Sequence, residues 1–108
     1  MIIGIAGPYS AETELQRSKN LEAMNIAAAK ILAMGHIPLI GINAALPVIQ
    51  QSDIPNPYEA VMAISMAVID RCEALLLLAE SPGANRERDL VLSKGLPVYN
   101  NINEIPSI

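Results

Sequence analysis

The sequence contains no tryptophan or phenylalanine, and it has one cysteine and one histidine. With Cys72 as its single cysteine, the chain cannot form an internal disulfide, so a reduced, cytoplasmic setting is the simplest inference. Metal binding is disfavoured as well, because the one His and the one Cys lie far apart and no carboxylates cluster at ligand spacing. We therefore expect neither a metal nor a cofactor.

Long apolar runs and clustered basic residues are also missing. No uninterrupted apolar stretch approaches the roughly 18 residues that a membrane helix needs. The opening residues, MIIGIAGPYS, carry no basic region and their apolar run breaks at Pro8, which does not match a signal peptide. Seven Lys and Arg residues are scattered along a chain of net charge −4, without the basic stripe of a nucleic-acid-binding surface. We expect neither a membrane nor a nucleic acid among the partners.

What the chain does have is apolar content, 52% of 108 residues, which is enough for the core of a single domain spanning residues 1–108. Strands and helices alternate in the hydrophobic pattern. The predicted strands are 2–6, 36–41, 73–79 and 96–102, and the predicted helices are 13–34, 56–71 and 83–94. This order predicts an α/β fold with a doubly wound parallel sheet of about four to five strands, a Rossmann- or flavodoxin-like three-layer sandwich. Residues 41–56 show weak periodicity and are predicted to form a long binding loop or lid.

The helix predicted at 56–71 has a strong start and an unusual interior. In the motif NPYE, Asn56 can cap, Pro57 fits the first helical position, and Glu59 completes a capping box. The following AVMAISMAVI is apolar almost all the way round. Because a helix on one face of a sheet needs only one apolar stripe, the second face is predicted to meet another subunit, in a homodimer or higher homo-oligomer.

In a doubly wound sheet, ligands bind at the carboxyl ends of the strands, and the least ordinary stretches of this chain meet at that edge. After the first strand comes GPYS, residues 7–10. Gly7 allows close backbone approach, Tyr9 offers a hydroxyl and a flat ring, and Ser10 offers a second hydroxyl. The stretch fits either a tight turn capped by Ser10 or an anion site at a helix start. It is not a G-x-G-x-x-G fingerprint, so NAD is set aside.

The second stretch is SPGANRE, residues 81–87. Ser81 followed by Pro82 is a cap-then-proline pattern that leaves backbone N–H groups facing the crevice. Glu87 falls on the inward face of the helix, where positions three and four residues away hold no Lys or Arg. A buried unpaired carboxylate is costly, and its pKa tends to rise. Glu87 is therefore either satisfied by a Tyr or Ser hydroxyl, or a working acid, base or nucleophile.

Three motifs of this chain resemble those of the nucleoside 2-deoxyribosyltransferase-like superfamily. They are a strand that ends in G-P-Y, a late S-x-G-A-x-x-E that opens a helix, and the GLPVY that follows this helix. The closest resemblance is to its short branch of the DUF4406 type, over Ile3 to Val98. It implies that Glu87 attacks the anomeric carbon of a nucleoside or nucleoside 5′-monophosphate and that Tyr9 orients this carboxylate. It also implies a homo-oligomer and a substrate site whose residues are Gly7, Pro8, Ser10, Ser81, Gly83 and Ala84, with the two serines on a 5′-phosphate.

The better-known transferases have aspartates at two positions where this chain has Ser65 and Ser81. The proton for the leaving base then has no obvious source, unless Asp53 or another subunit supplies it. The main alternative is a non-catalytic nucleotide-binding sensor of the same fold, and a protein-binding oligomeric domain is a third. A pocket-facing Glu87 beside Tyr9 would favour catalysis, and a salt bridge from Glu87 to Arg86 or Arg88 would favour a structural role.

Overall fold

Short runs of Ile, Leu and Ala form the central strands of the sheet. In the computed structural model, which describes residues 1–108, the strands are β1 (Ile2–Ala6), β2 (Ile37–Leu39), β3 (Ala74–Leu77) and β4 (Val98–Tyr99). β3 is buried throughout and β1 almost throughout, as central parallel strands covered on both faces should be. All neighbouring strands pair in parallel, in the order β2-β1-β3-β4. The predicted parallel α/β sheet is confirmed, with four strands.

Four helices cover the two faces of this sheet: α1 (Glu14–Ala33), α2 (Gly41–Gln50), α3 (Pro57–Ile69) and α4 (Pro82–Ser93). One core cluster joins α1 to the sheet through Met24 and Ile31, and a second joins α3 and α4 through Ile69 and Val91. The predicted three-layer sandwich is therefore confirmed, and a 3-10 turn at Ile102–Glu104 follows β4. None of the helices combines the length and apolar character needed to cross a membrane.

Residues 41–50, predicted to be part of a loop or lid, form the helix α2 instead. Pro47 lies inside this helix and cannot donate to the carbonyl four residues earlier, and no polar side chain caps its start. Packing against α3 offsets these losses. The loop prediction was wrong because a proline and a missing cap obscured a helical repeat of apolar residues, namely Ile42, Ala45, Leu46 and Ile49.

The starts of the other helices follow their sequence signals with one exception. Thr13 caps α1 by accepting from the Gln16 N–H at 3.1 Å. Asn56 occupies the cap position of α3, but its side chain accepts no hydrogen bond. Glu59 pairs with Arg86 at 3.3 Å instead of closing a capping box. The predicted helix start is right and the predicted capping box is wrong, so Pro57 at the first position is the signal that holds.

Part of the apolar surface of α3, including Ala63 and Ala67, is exposed in the single chain. Here α2 and α3 border an apolar groove of about 680 Å³. It is lined by Leu39, Ile40, Ala44, Ala63, Ile64, Ala67, Val68 and Arg71. The homo-oligomer stays a prediction, and this groove is the surface to which the prediction applies.

Candidate functional site

The order of the strands creates a crevice between the loops that follow β1 and β3. The chain passes from β1 to β2 on one side, then returns to place β3 on the other side of β1. Loops leaving two such strands diverge, and ligands bind at this switch point in open α/β sheets. A pocket of about 720 Å³ lies there, within the size range of small-molecule sites.

The wall formed by the β1 loop and the start of α4 contains all eight residues that the sequence predicted for the site. They are Gly7, Pro8, Tyr9, Ser10, Ser81, Gly83, Ala84 and Glu87. Two loops about 70 residues apart in sequence are thus brought together by the pairing of β1 with β3. Asp53, the candidate proton donor, is exposed and is not part of the pocket wall.

The opposite wall comes from α2 and α3, elements to which the sequence had assigned no site residue. α2 contributes apolar side chains to this wall, and α3 contributes both apolar and hydroxyl groups. These residues are Ile42, Leu46 and Ile49 from α2, and Pro57, Tyr58, Val61, Met62 and Ser65 from α3. The pocket is therefore mainly apolar on this side, where Tyr58 and Ser65 add hydroxyls, and carries loop backbone and hydroxyl groups on the other.

Glu87 is buried at the base of this pocket, with 8% of its surface exposed. Its Oε1 accepts a hydrogen bond of 2.9 Å from the Ser65 hydroxyl. Its Oε2 is buried and has no hydrogen-bond partner. Burial raises the pKa of Glu87 to about 7, and the Ser65 hydrogen bond opposes that rise only in part. The carboxyl therefore gains and loses its proton near neutral pH.

No cation neutralises this carboxylate. Arg86 pairs with Glu59 at 3.3 Å, and Arg88 pairs with Glu80 at 3.0 Å and with Asp89 at 3.1 Å. Both arginines make these ion pairs at the protein surface, away from Glu87. Of the two environments expected for Glu87, the salt bridge is absent; the carboxyl lines a pocket, but its hydrogen-bond partner is Ser65 and not Tyr9.

The hydroxyl that contacts Glu87 is that of Ser65, whereas the sequence interpretation gave the orienting role to Tyr9. Tyr9 lines the pocket and packs against the core cluster under α1, and its carbonyl accepts from the Asn20 side chain at 3.0 Å. No hydrogen bond joins Tyr9 to Glu87. Sequence alone could not pair Ser65 with Glu87, because they are 22 residues apart on two different helices.

Close packing of α2 on α3 fixes Ser65 in place. Gly41, the first residue of α2, is buried against it. A Cβ added at Gly41 would overlap the Ser65 Oγ and would lie 2.9 Å from both the Cα and the carbonyl oxygen of Ser65. Such distances are well inside van der Waals contact, so only glycine lets the two helices approach this closely. The position of the Ser65 hydroxyl therefore depends on the absence of a side chain at residue 41.

Ser81 and Arg17 provide polar groups near the loops. The Ser81 Oγ caps α4 by accepting from the Ala84 N–H at 3.1 Å, which leaves the hydroxyl proton free to bind a ligand. Arg17, which sequence reasoning missed, is the one cationic side chain on the pocket wall. It donates to the Ala11 carbonyl at 2.7 Å and has further N–H groups available for an anion. Arg17 lies one turn into α1, the helix that follows GPYS, and this position in the sequence could have identified it as a site residue.

Replacing Ser65 with alanine is expected to raise the pKa of Glu87 above its value of about 7, because the hydrogen bond removed favours the ionised carboxyl. An NMR titration of protein labelled with ¹³C at the glutamate carboxyls would measure this change. Ser10→Ala, which removes a pocket hydroxyl that does not contact Glu87, is the matched control and should leave the titration unchanged. An unchanged or lowered pKa in Ser65→Ala would contradict the assigned role of the hydrogen bond.

Within the structure, no group of three or more His, Cys, Asp and Glu side chains stands close enough to hold a metal ion.

Comparison with known proteins places the chain by family alone. A search of proteins with curated functions finds no match to the sequence. The family profile described as "Domain of unknown function (DUF4406)" matches residues 1–100, nearly the whole chain. The protein thus belongs to the DUF4406 family.

Proposed function

We propose that this protein cleaves or transfers the N-glycosidic bond of a nucleoside or nucleoside 5′-monophosphate, with Glu87 as the nucleophile. The observation that carries the proposal is the Glu87 carboxyl, buried in a pocket at the switch point, with one oxygen fixed and the other unpartnered. The motif resemblance to nucleoside 2-deoxyribosyltransferase-like enzymes supports the same role. Kinship with that superfamily is part of the proposal.

The geometry suits attack on an anomeric carbon. Ser65 holds Oε1 and leaves Oε2 buried and without a partner, and we propose that Oε2 becomes exposed to react with C1′ when the sugar enters the pocket. Glycosyl transfer passes through an oxocarbenium-like transition state, which an adjacent carboxylate stabilises or traps as a glycosyl-enzyme. In a pocket with apolar walls, this electrostatic stabilisation is stronger than in water. Water or a second base then takes the sugar from Glu87, giving hydrolysis or transfer.

The loop side of the pocket supports a phosphorylated substrate. The positive end of the α4 helix dipole lies there, and the Ser81 hydroxyl and the Arg17 guanidinium line the same pocket. Gly83 keeps this helix start open, since a side chain there would meet the Met62 sulfur at 3.2 Å. We propose these groups as the site of a 5′-phosphate, together with Ser10.

The enzyme is favoured over the nucleotide-binding sensor by the electrostatics of Glu87. A sensor for an anionic nucleotide gains nothing from a desolvated carboxylate in its binding pocket, because that charge repels the ligand. An enzyme needs such a group at the reacting carbon, and perturbed pKa values are typical of functional sites. The cost of burying Glu87 is therefore explained by catalysis and is unexplained by the binding of an anionic nucleotide alone.

Base release by the purified protein is the test. We would incubate it with ribo- and deoxyribonucleosides and their 5′-monophosphates and measure free base by chromatography, beside Glu87→Gln. Glutamine keeps the shape of the side chain and its acceptor for Ser65, and it removes the nucleophile. The expected result is release by the natural protein and a loss of at least about 10³-fold in the variant.

The other outcomes separate the alternatives. Equal release by the natural protein and Glu87→Gln would rule out Glu87 as the nucleophile. Binding of a nucleotide without release of base from any substrate would favour the sensor. Because an ionised carboxylate is the nucleophile, release should rise with pH through about 7, where Glu87 loses its proton.

A further inference from the structure

The part of the pocket that a single chain forms contains one carboxyl group and no second one. Besides Glu87, the titratable side chains on its wall are Tyr9, Arg17 and Tyr58. A phenol or a guanidinium is a weaker acid than a carboxyl or an imidazolium, and is therefore less suited to donate a proton to a leaving base. The single histidine, His36, is buried elsewhere, and its Nε2 donates to the Pro106 carbonyl. No residue of the pocket is thus suited to protonate a leaving group while Glu87 is ionised.

The absence of a second acid restricts the leaving group. A neutral purine or pyrimidine leaves with the electron pair of the C1′–N bond and becomes an anion unless an acid protonates it. A base whose ring already carries a positive charge leaves as a neutral molecule, since the same electron pair cancels that charge. Only the second kind of leaving group departs readily without general acid catalysis.

We propose that the substrate is a nucleoside or nucleotide whose base carries a positive ring charge, an N-alkylated purine or a pyridinium. This inference rests on the proposed function. The pocket suits such a base in two further ways. The unpartnered Oε2 of Glu87 attracts a cation inside apolar walls. Tyr9 and Tyr58, two of the three aromatic residues of the chain, both line the pocket and can place a ring face against a cationic base.

In this reaction, the enzyme does not have to donate a proton to the departing base. Oε2 of Glu87 forms a bond to C1′ as the C1′–N bond breaks, and the electron pair neutralises the departing ring. Water then attacks C1′, and the C1′–Oε2 bond breaks with its electron pair returning to the carboxylate. The products are the neutral base, the free sugar and one proton, which passes from the water to the solvent.

7-Methylguanosine and guanosine form a matched pair of probes, because they differ by the single methyl group that gives the ring its positive charge. Base release would be measured for both, and for nicotinamide riboside, with the natural protein and with Glu87→Gln as the background. We expect kcat/KM for the two cationic substrates to exceed that for guanosine by at least about 100-fold after this background is subtracted.

A guanosine rate equal to or above that of 7-methylguanosine, abolished in Glu87→Gln, would overturn the cationic base and leave the proposed glycosidase intact. Release from none of the probes or of the neutral nucleosides would overturn both. The two failures are therefore distinguishable in one experiment.

The pH profile with nicotinamide riboside gives a second readout, because the charge of its pyridinium does not titrate. The groups beside Glu87 or facing it across the pocket are Tyr9, Arg17, Tyr58 and Cys72. Burial, followed by the charge of Glu87, raises the pKa of Cys72 to about 11. We expect the rate to rise as Glu87 ionises and then to stay level to about pH 9. A bell-shaped profile with a falling limb below that pH would reveal a required acid and contradict the inference.

Discussion

Replacing Glu87 with glutamine is expected to make the folded protein about 3 kcal/mol more stable at pH 8 and to leave its stability unchanged at pH 4. The reason is the pKa of Glu87, which burial raises from 4.5 to about 7. As pH rises, the unfolded chain loses this proton from about 4.5 onward, while the folded chain keeps it to about 7. The folded state binds more protons in that window, so its stability falls as pH increases.

The destabilisation is complete above about pH 7, where Glu87 is ionised in both states, and it is absent below about 4.5, where Glu87 is protonated in both. Glutamine has no charge to bury, and its side-chain oxygen still accepts the Ser65 hydroxyl. The variant therefore avoids the penalty for burying a charge at high pH, and its amide N–H groups take the buried, unpartnered place of Oε2, as the O–H of protonated Glu87 does at low pH. Replacing a catalytic group that lies in an energetically unfavourable environment typically makes the protein more stable and less active.

Urea denaturation of the natural protein and of Glu87→Gln between pH 4 and pH 8 would measure the difference in the free energy of unfolding. Glu22→Gln is the matched control, since Glu22 is an exposed helical carboxylate with no ion pair. That control should stay within about 0.5 kcal/mol of the natural protein at every pH. If the free energy of unfolding changed with pH in the same way for Glu87→Gln and the natural protein, Glu87 would not have a raised pKa in the folded state.

The second large effect is expected at Gly41, where alanine should lower the free energy of unfolding by about 2 to 4 kcal/mol. Alanine ordinarily stabilises a helix by about 1 kcal/mol relative to glycine. Here its Cβ would lie 2.9 Å from the Cα and the carbonyl oxygen of Ser65, and backbone atoms in a packed helix cannot move aside as a side chain can. The steric effect therefore exceeds the gain in helix propensity, and α2 must shift away from α3.

Gly7→Ala is the control for this experiment. Its added Cβ would meet the Leu78 Cβ at 3.4 Å, an ordinary contact, so its stability should change by less than about 0.5 kcal/mol. Combining Gly41→Ala with Ser65→Ala should not restore stability, because the clash with the backbone of residue 65 remains. Full rescue by the second substitution would show that only the Ser65 hydroxyl stands in the way.

The sequence contained enough to predict the sheet and the loop side of the pocket. The apolar run around Leu75–Leu77 identifies a strand buried on both faces, and parallel pairing then brings GPYS and SPGANRE to one edge. Glu87 could be assigned to the inward face from its helical neighbours alone. These predictions depend on local patterns and on one topological rule, which is why they hold.

The far side of the pocket depends on contacts between distant segments, which no local pattern specifies. α2 has no capping side chain and includes Pro47, so its packing on α3 stabilises it against its own propensity. The Ser65 hydrogen bond to Glu87 requires the correct rotation of α3 and the space left by Gly41. Arg17 reaches the pocket through the path of the chain after β1. Each of these features follows from how the helices are assembled.

The contact between Gly41 and Ser65 also limits how this pocket can evolve. Ser65 is almost fully enclosed, with the α2 backbone directly against it, so an aspartate at this position has no room while α2 stays where it is. A second carboxyl at residue 65 is therefore expected to require a shift of the neighbouring helix. The chemistry open to descendants of this protein is thus constrained by the backbone of α2, which lies directly against the serine that bonds Glu87.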